Sequence, residues 1–206
     1  MGAPLELIHE LDSSIAHSTD QRRSVMLRHL TDLFLVGSDQ YSDEEVDLID
    51  DVFVRLVATI EQSARALLAI RLGPVALAPP KILRVLACDD AIEIASPVLS
   101  QAERLDIKTL IECARTKNQE HLLAISRRKT LPEALTEVLV ERGDQQVVLS
   151  TAKNTGAKFS AEGFDTLVRR AWRRCANCLR GGACRSAAAA ARTAARRCVR
   201  EGARQT

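Results

Sequence analysis

A pattern that occurs three times between Asp89 and Val168 constrains the fold of this chain more than any other feature. An acidic or amide residue precedes a short apolar run at Asp90, Asn118 and Asp144, at intervals of 28 and 26 residues. A second marker, an apolar residue followed by a helix-starting residue, lies at Leu105-Asp106, Leu131-Pro132 and Phe159-Ser160. Two interleaved markers with one period are typical of stacked helix pairs. The pattern predicts helices near 91–99, 105–115, 118–127, 132–142, 144–153 and 160–170.

The composition of the chain favours a helical interior. Apolar residues make up 46% of the 206 residues but aromatic residues only 3%, so Leu, Ala, Val and Ile must form the core. This composition favours helix-on-helix packing over an aromatic-rich sandwich or barrel. No apolar run approaches the roughly 20 residues that span a bilayer, and the first residues lack the basic start of a signal peptide. We therefore expect a soluble cytoplasmic protein.

The N-terminal third of the sequence predicts a bundle of three or four helices. Ser42 and Glu45 form a capping box at the start of the third helix. Gly73-Pro74 ends the fourth, which begins near Ser63. The first two helices, the second running from Thr19 to Gly37, carry these apolar residues on their inner faces: Leu7, Ile8, Leu11 and Ile15, then Met26, Leu30, Leu33 and Phe34.

One stretch of the repeats resembles a bacterial family. Leu86 to Leu99, reading LACDDAIEIASPVL, together with the segments 124–128, 139–144 and 154–157, resembles the domain of unknown function 2336. That family is generally described as HEAT-like helical repeats, and the resemblance covers about residues 1–171. It implies a helical scaffold that binds other proteins in bacterial signalling, and it implies no catalytic residues.

We therefore predict an all-α fold, with an N-terminal helical bundle in residues 1–73 followed by a short HEAT-like α-solenoid in residues 78–171. Helices of two or three turns are unstable alone in water, so each pair must be held by its neighbours. Residues 172–206 form an Arg/Ala/Cys-rich tail.

The tail differs from the rest of the chain in charge and composition. It has nine Arg and one acid, a net charge of +8, which leaves −6 for residues 1–171. Its common residues, Ala, Arg, Gly and Cys, are those that G- and C-rich codons encode when they are read out of frame. We therefore interpret the tail from about Trp172 as a frameshift product or spurious extension. Resequencing the gene tests this. An intact downstream frame encoding more helix pairs supports the interpretation, and a clean stop refutes it.

The tail also holds the one pattern that suggests a metal. Cys175 and Cys178 form a C-x-x-C pair, but Cys184 and Cys198 are separated by 13 residues. Structural zinc sites use two close pairs of thiolates, so accidental cysteines are the favoured interpretation and no metal is expected. The tail arginines could bind nucleic acid, but Trp172 is the single aromatic residue of the tail that could stack on a base. Nucleic-acid binding is therefore a less favoured function of the tail. Cys88 and Cys113 are interpreted as buried small residues in a reducing compartment.

The histidines and acids of the body suggest few sites. His29, three residues before Asp32, invites a phosphotransfer interpretation, although an ordinary surface histidine is favoured. His9 and His17 lie in no such pattern, and His121 is interpreted as a packing residue. Asp89-Asp90, Gly143-Asp144 and Asn154-x-Gly156 are interpreted as caps and turns, and Arg127-Arg128 as residues that favour a helix C-terminus.

The sequence thus predicts a non-enzymatic scaffold or adaptor, with no catalytic, cofactor-binding or metal-binding residues and no cofactor. A partner protein, and a homodimer formed through the N-terminal helices, are the expected interactions. Histidine phosphotransfer in a two-component pathway and nucleic-acid binding through the basic tail are the alternatives.

Overall fold

A computed structural model of the chain describes residues 19–37 and 41–178, with side chains as far as Arg170. The described residues form ten α-helices and no strand, which confirms the all-α prediction. The predicted helix around Leu7 to Ile15, including His9, lies outside the described residues, as do His17, Cys184 and Cys198. The helices are α1 (Asp20–Gly37), α2 (Asp43–Val57), α3 (Gln62–Leu72), α4 (Pro80–Ala87), α5 (Ile92–Gln101), α6 (Ile107–Thr116), α7 (Gln119–Ser126), α8 (Glu133–Arg142), α9 (Gln145–Lys153) and α10 (Ala161–Cys178).

The six helices expected from the repeated markers are present. α5 to α10 all start within two residues of their predicted starts. α10 continues to Cys178, so the composition change at Trp172 falls inside a helix rather than at its end. α5 passes through Pro97 and ends at Gln101.

Side chains at the N-cap explain the starts of α2, α7 and α9. The capping box of Ser42 and Glu45 is present at α2. Asn118 accepts hydrogen bonds from the backbone N–H groups of Glu120 and His121, and Asp144 accepts one from Val147. These side chains satisfy N–H groups that a helix leaves unpaired in its first turn.

The cap predicted at Asp90 is wrong. The N-cap of α5 is Ala91, and no side chain caps it. Asp89 takes the structural role instead: its Oδ1 accepts from the Ala91 N–H at 3.0 Å, and its Oδ2 pairs with Arg65 Nη1 at 2.5 Å. Two adjacent carboxylates give the same spacing in sequence, so the repeat period could not separate them.

The chain divides into two compact units between Asp106 and Ile107. In the first unit α1 packs on α3 and α3 on α5, while α2 packs on α4. The junction at residues 73–78 between the predicted bundle and the predicted solenoid lies within this unit. The predicted domain boundaries remain predictions.

The core of the first unit is built around two aromatic rings. Phe34 of α1 and Phe53 of α2 are buried and meet edge to face with ring centroids 6.2 Å apart. The buried face of α1 runs through Leu27, Thr31 and Phe34. The prediction that Leu33 lies on that face is wrong, since Leu33 is 65% exposed.

In the second unit the helices alternate in their contacts. α6 packs on α8 and α8 on α10, while α7 packs on α9. Consecutive helices α6–α7 and α8–α9 also contact each other. Stacked helix pairs produce this alternation. The assignment to a HEAT-like solenoid remains a prediction.

Side chains of the second unit bond to backbone groups about one repeat earlier. Arg142 Nη1 donates to the Ala114 carbonyl at the end of α6 at 2.5 Å. Arg170 Nη2, one repeat later, donates to the Gly143 carbonyl after α8 at 2.7 Å. The spacing of these two arginines is 28 residues, one of the two intervals of the marker pattern. Each arginine therefore caps the C-terminus of the helix two elements earlier, α6 for Arg142 and α8 for Arg170, a recurrence the sequence analysis missed.

The loops of the second unit are joined in the same way. The Leu131 N–H donates to the Gly156 carbonyl at 3.0 Å, and the Lys158 N–H donates to the Leu131 carbonyl at 2.9 Å. This isolated parallel bridge ties the loop before α8 to the loop before α10.

Candidate binding groove

A groove of about 480 Å³ lies between α7 and α9 of the second unit. Its apolar walls include Leu123 of α7 and Leu149 of α9, both half-buried. Its rim carries Arg127 and Lys153, both exposed. We call this feature the α7–α9 groove.

The floor of the α7–α9 groove is a fixed polar network. The Ser126 and Ser150 Oγ atoms lie 2.7 Å apart, and Ser126 Oγ donates to the Leu123 carbonyl at 2.7 Å. Asn154 Nδ2 donates to the carbonyls of Ser126 at 2.9 Å and Arg128 at 2.7 Å. The last turn of α7 is therefore held from the end of α9, so the shape of the groove is preformed.

The groove is built from equivalent positions of two successive helix pairs. Leu123 and Leu149 are 26 residues apart, and so are Arg127 and Lys153. The marker pattern has the same interval, which is the signal that could have located this surface in the sequence. The sequence assigned Arg127 to the C-terminus of its own helix and did not predict that it lies on one surface with Lys153.

A cluster of acids in the first unit has a structural role. Asp50 is fully buried on α2, and its carboxylate accepts from the backbone N–H of Lys81 at 2.6 Å and of Ile82 at 2.7 Å. The N-cap of α4 is Pro79, which makes no side-chain cap bond. Asp50 therefore caps the start of α4 from a different helix.

Burial and hydrogen bonding shift the pKa of Asp50 in opposite directions. Burial is the largest effect and raises the pKa above its ordinary value of 3.8, while the N–H groups of Lys81 and Ile82 act to lower it. The ammonium of Lys81 lies 2.8 Å from both Asp47 and Asp51, and these hydrogen bonds raise the pKa of Lys81. The acids of this cluster therefore bond to Lys81 and to the start of α4, and their role is structural.

The predicted histidines lie in different environments. His29 is exposed on α1, as a phosphate acceptor would require. Asp32, its predicted orienting acid, pairs with Arg71 at 2.5 Å. His121 is 1% exposed, and its Nδ1 lies 2.7 Å from the Asn118 cap, which fits the predicted packing role.

Cys88 and Cys113 are the cysteines whose side chains the structure describes. Cys113 is buried as predicted, and Cys88 is half-buried. Cys175 and Cys178 belong to the part of α10 where only the backbone is described, so the zinc hypothesis for the tail lies outside the described side chains. Within the described residues, no group of three or more His, Cys, Asp or Glu side chains is placed to hold a metal ion.

Among residues 19–37 and 41–178, no helix combines the length and the apolar character that crossing a bilayer requires.

The fold and the groove define an all-α protein of short helices that hold one another through bonds about one repeat apart. Residues 94–176 match the model of a family described as an uncharacterised protein conserved in bacteria (DUF2336). The match confirms the resemblance over those residues and extends past the predicted start of the tail. The comparisons with curated proteins and with solved structures found no match.

Proposed function

We propose that this protein is a non-enzymatic adaptor of bacterial signalling that binds a partner protein through the α7–α9 groove. The groove carries the proposal, because paired helices preform it and it combines leucine walls with a cationic rim. Preformed concave surfaces with an apolar lining and a few fixed polar groups are favourable for binding. We also propose a cytoplasmic location, because the buried Cys113 and the half-buried Cys88 lie within or at the end of a helix where a small apolar residue is expected, as thiols do in proteins of a reducing compartment.

Affinity capture followed by reconstitution tests the adaptor. The full-length chain is immobilised, incubated with a lysate of its own bacterium, and each captured protein is purified and titrated back by calorimetry. We expect at least one protein to bind saturably with a fixed stoichiometry. Absence of saturable binding by every captured protein would contradict the adaptor.

Phosphotransfer through His29 is the alternative that the exposure of this residue keeps open. Incubation with a labelled phosphohistidine donor should leave the adaptor unlabelled. Labelling that disappears in the His29→Gln variant would replace the adaptor with a phosphotransfer protein.

We also propose that the adaptor pairs with a second copy through α1 and α3. These two helices pack together in the first unit and share the Asp32–Arg71 ion pair. An interface with twofold symmetry presents the same patch twice, and a patch with one cation and one anion can pair with itself without net repulsion. The large apolar residues that these helices expose are Val25, Leu33 and Val36 of α1 and Leu67 and Ile70 of α3.

Glutamate at Leu33 and Val36 should therefore abolish the dimer. These side chains are 65% and 88% exposed, so the substitutions Leu33→Glu and Val36→Glu leave the core intact. Sedimentation velocity should give a dimer of the 22.6-kDa chain for the wild type and a monomer for the double variant. Ile107→Glu, at an exposed apolar residue of the second unit, is the control that should remain dimeric. A monomeric wild type at all concentrations would refute this interface.

A further inference from the structure

We propose that the α7–α9 groove binds an anionic side chain of the partner, with an adjacent apolar side chain of the same segment against Leu123 and Leu149. This inference rests on the proposed adaptor function and specifies the chemistry of the partner segment. The ligand is an acidic, partly apolar peptide segment.

The positive charge of the groove is uncompensated. Arg127 and Lys153 lie on its rim, and no acidic residue lines it. Within the described residues neither cation takes part in an ion pair. Two cations on one preformed surface attract an anion, and they also repel each other until an anion binds between them.

A structural role for Arg127 at the end of α7 is the competing explanation, because cations favour helix C-termini. The structure assigns part of that role to another residue. Asn154 Nδ2 already donates to the carbonyls of Ser126 and Arg128, which lie on either side of Arg127. The Arg127 guanidinium is therefore not required to satisfy these carbonyls, and it remains available to a ligand.

The hydroxyl groups of the floor restrict which residues hold the anion. Each serine hydroxyl has one proton to donate. The Ser126 proton is used within the floor, since both of its neighbours, the Leu123 carbonyl and Ser150 Oγ, accept from it, so the floor can offer an anion no more than the single proton of Ser150. The negative charge of the ligand must then be met by Arg127 and Lys153, which makes binding depend on charge.

The net charge of the second unit also favours the binding of an anion. Residues 107–171 contain 11 basic and 8 acidic side chains, a net of +3. Residues 1–106 contain 9 basic and 18 acidic side chains, a net of −9. The segment that carries the groove is therefore the part of the body that attracts anions, a division that the net charge of the whole body conceals.

The leucine walls add the apolar requirement. Leu123 and Leu149 remain half-buried and face the groove from neighbouring helices at equivalent positions. Covering such a pair with an apolar side chain is favourable, because it removes apolar area from water. A free inorganic anion leaves these walls exposed, so the structure favours a peptide over phosphate alone.

An NMR titration of the full-length protein tests this inference. The probe is N-acetyl-leucyl-glutamate amide, compared with N-acetyl-leucyl-glutamine amide and with inorganic phosphate. We expect the glutamate probe to shift the amide signals of Ser126, Arg127, Ser150 and Asn154. In the variant carrying Arg127→Ser and Lys153→Ser we expect the affinity to fall roughly tenfold, about 1.4 kcal/mol, because two exposed cations that contact the anion are lost. Lys108→Ser removes an exposed cation of α6 outside the groove and should leave the affinity unchanged.

Each other outcome refutes the inference. Equal binding of the glutamine probe would show that charge does not select the ligand, and binding of phosphate without the glutamate probe would identify a free-anion site. Absence of shifts at the groove residues with all three probes would exclude the site. If a captured partner binds the Arg127→Ser and Lys153→Ser variant as tightly as the wild type, the groove chemistry is wrong while the adaptor function stands.

Discussion

Replacing Asp50 by asparagine is expected to lower the free energy of unfolding at neutral pH by about 2 to 3 kcal/mol. The Asp50 carboxylate is fully buried and accepts two backbone N–H groups at the start of α4. An amide of the same shape has one oxygen, so one N–H group loses its acceptor and faces an NH2 group instead. A buried donor without a partner loses its solvation with no compensation.

Chemical denaturation followed by circular dichroism measures the loss at Asp50. Asp51→Asn is the matched control, because Asp51 makes an ion pair with Lys81 that is much more exposed and that ammonium keeps its contact with Asp47. Asp51→Asn should therefore cost far less. Equal effects of the two substitutions would show that Asp50 does not cap α4.

The effect at Asp50 also depends on pH. Burial raises the pKa of Asp50 above 3.8 in the folded protein. A carboxyl group whose pKa is raised by folding binds its proton more tightly in the folded state, so it contributes stability that is complete below pH 3.8. That contribution is lost as the pH rises through the folded pKa. The difference in stability between wild type and Asp50→Asn should therefore shrink as the pH rises from 3.8 toward neutrality. A difference that grows over this range would mean that the folded pKa is lowered instead.

Alanine at Gly156 is the second substitution with a large expected effect. A Cβ atom at this position would lie 1.8 Å from the Lys129 carbonyl oxygen, which is backbone and cannot rotate away. The loops must separate to admit it, and this breaks the bridge between Leu131 and Ala157. Strained insertions of this kind destabilise by about 1 to 3 kcal/mol, and we expect the upper part of that range.

Gly163→Ala is the control for Gly156. A Cβ at Gly163 would meet its nearest atoms, in the side chains of Ser160 and Glu137, at 3.2 and 3.4 Å. Alanine also favours the helical backbone of α10 by roughly 0.8 to 1 kcal/mol over glycine. Thermal melts of both variants should show a large drop in Tm for Gly156→Ala and a small change for Gly163→Ala. Equal melting temperatures would refute the close contact of the two loops.

The starts of α7 and α9 were predictable because their signals are local. Asn118 and Asp144 cap helices through bonds to N–H groups two or three residues on, so the sequence contains both partners at short range. The capping box at Ser42 is equally local. Such patterns predict a helix start without knowledge of its neighbours.

The contacts between distant residues were not predictable from spacing. Asp50 lies on the apolar face of α2 between Val46 and Phe53, which signals an unusual acid, but its partners are 31 and 32 residues away on α4. The exposure of Leu33 was missed because α1 carries apolar residues on several sides, and only packing decides which side is buried. Tertiary contacts overrule a periodic pattern in both cases.

The α7–α9 groove was predictable in part, less than the local helix caps and more than the long-range contacts. Its leucines and cations recur at 26 residues, the period of the marker pattern. The period alone does not show that α7 and α9 are in contact or that Asn154 satisfies the carbonyls beside Arg127. The 26-residue spacing was visible in the sequence, and the contact that turns it into a surface required the structure.

Hydrogen exchange of the Asn154→Ala variant tests most directly whether neighbouring helix pairs hold one another. Asn154 Nδ2 bonds to the carbonyls of Ser126 and Arg128, which lie 28 and 26 residues earlier. The account predicts faster amide exchange at the end of α7 and around residue 154, with α2 of the first unit unchanged. Faster exchange confined to the loop around residue 154, with α7 protected as in the wild type, would contradict it.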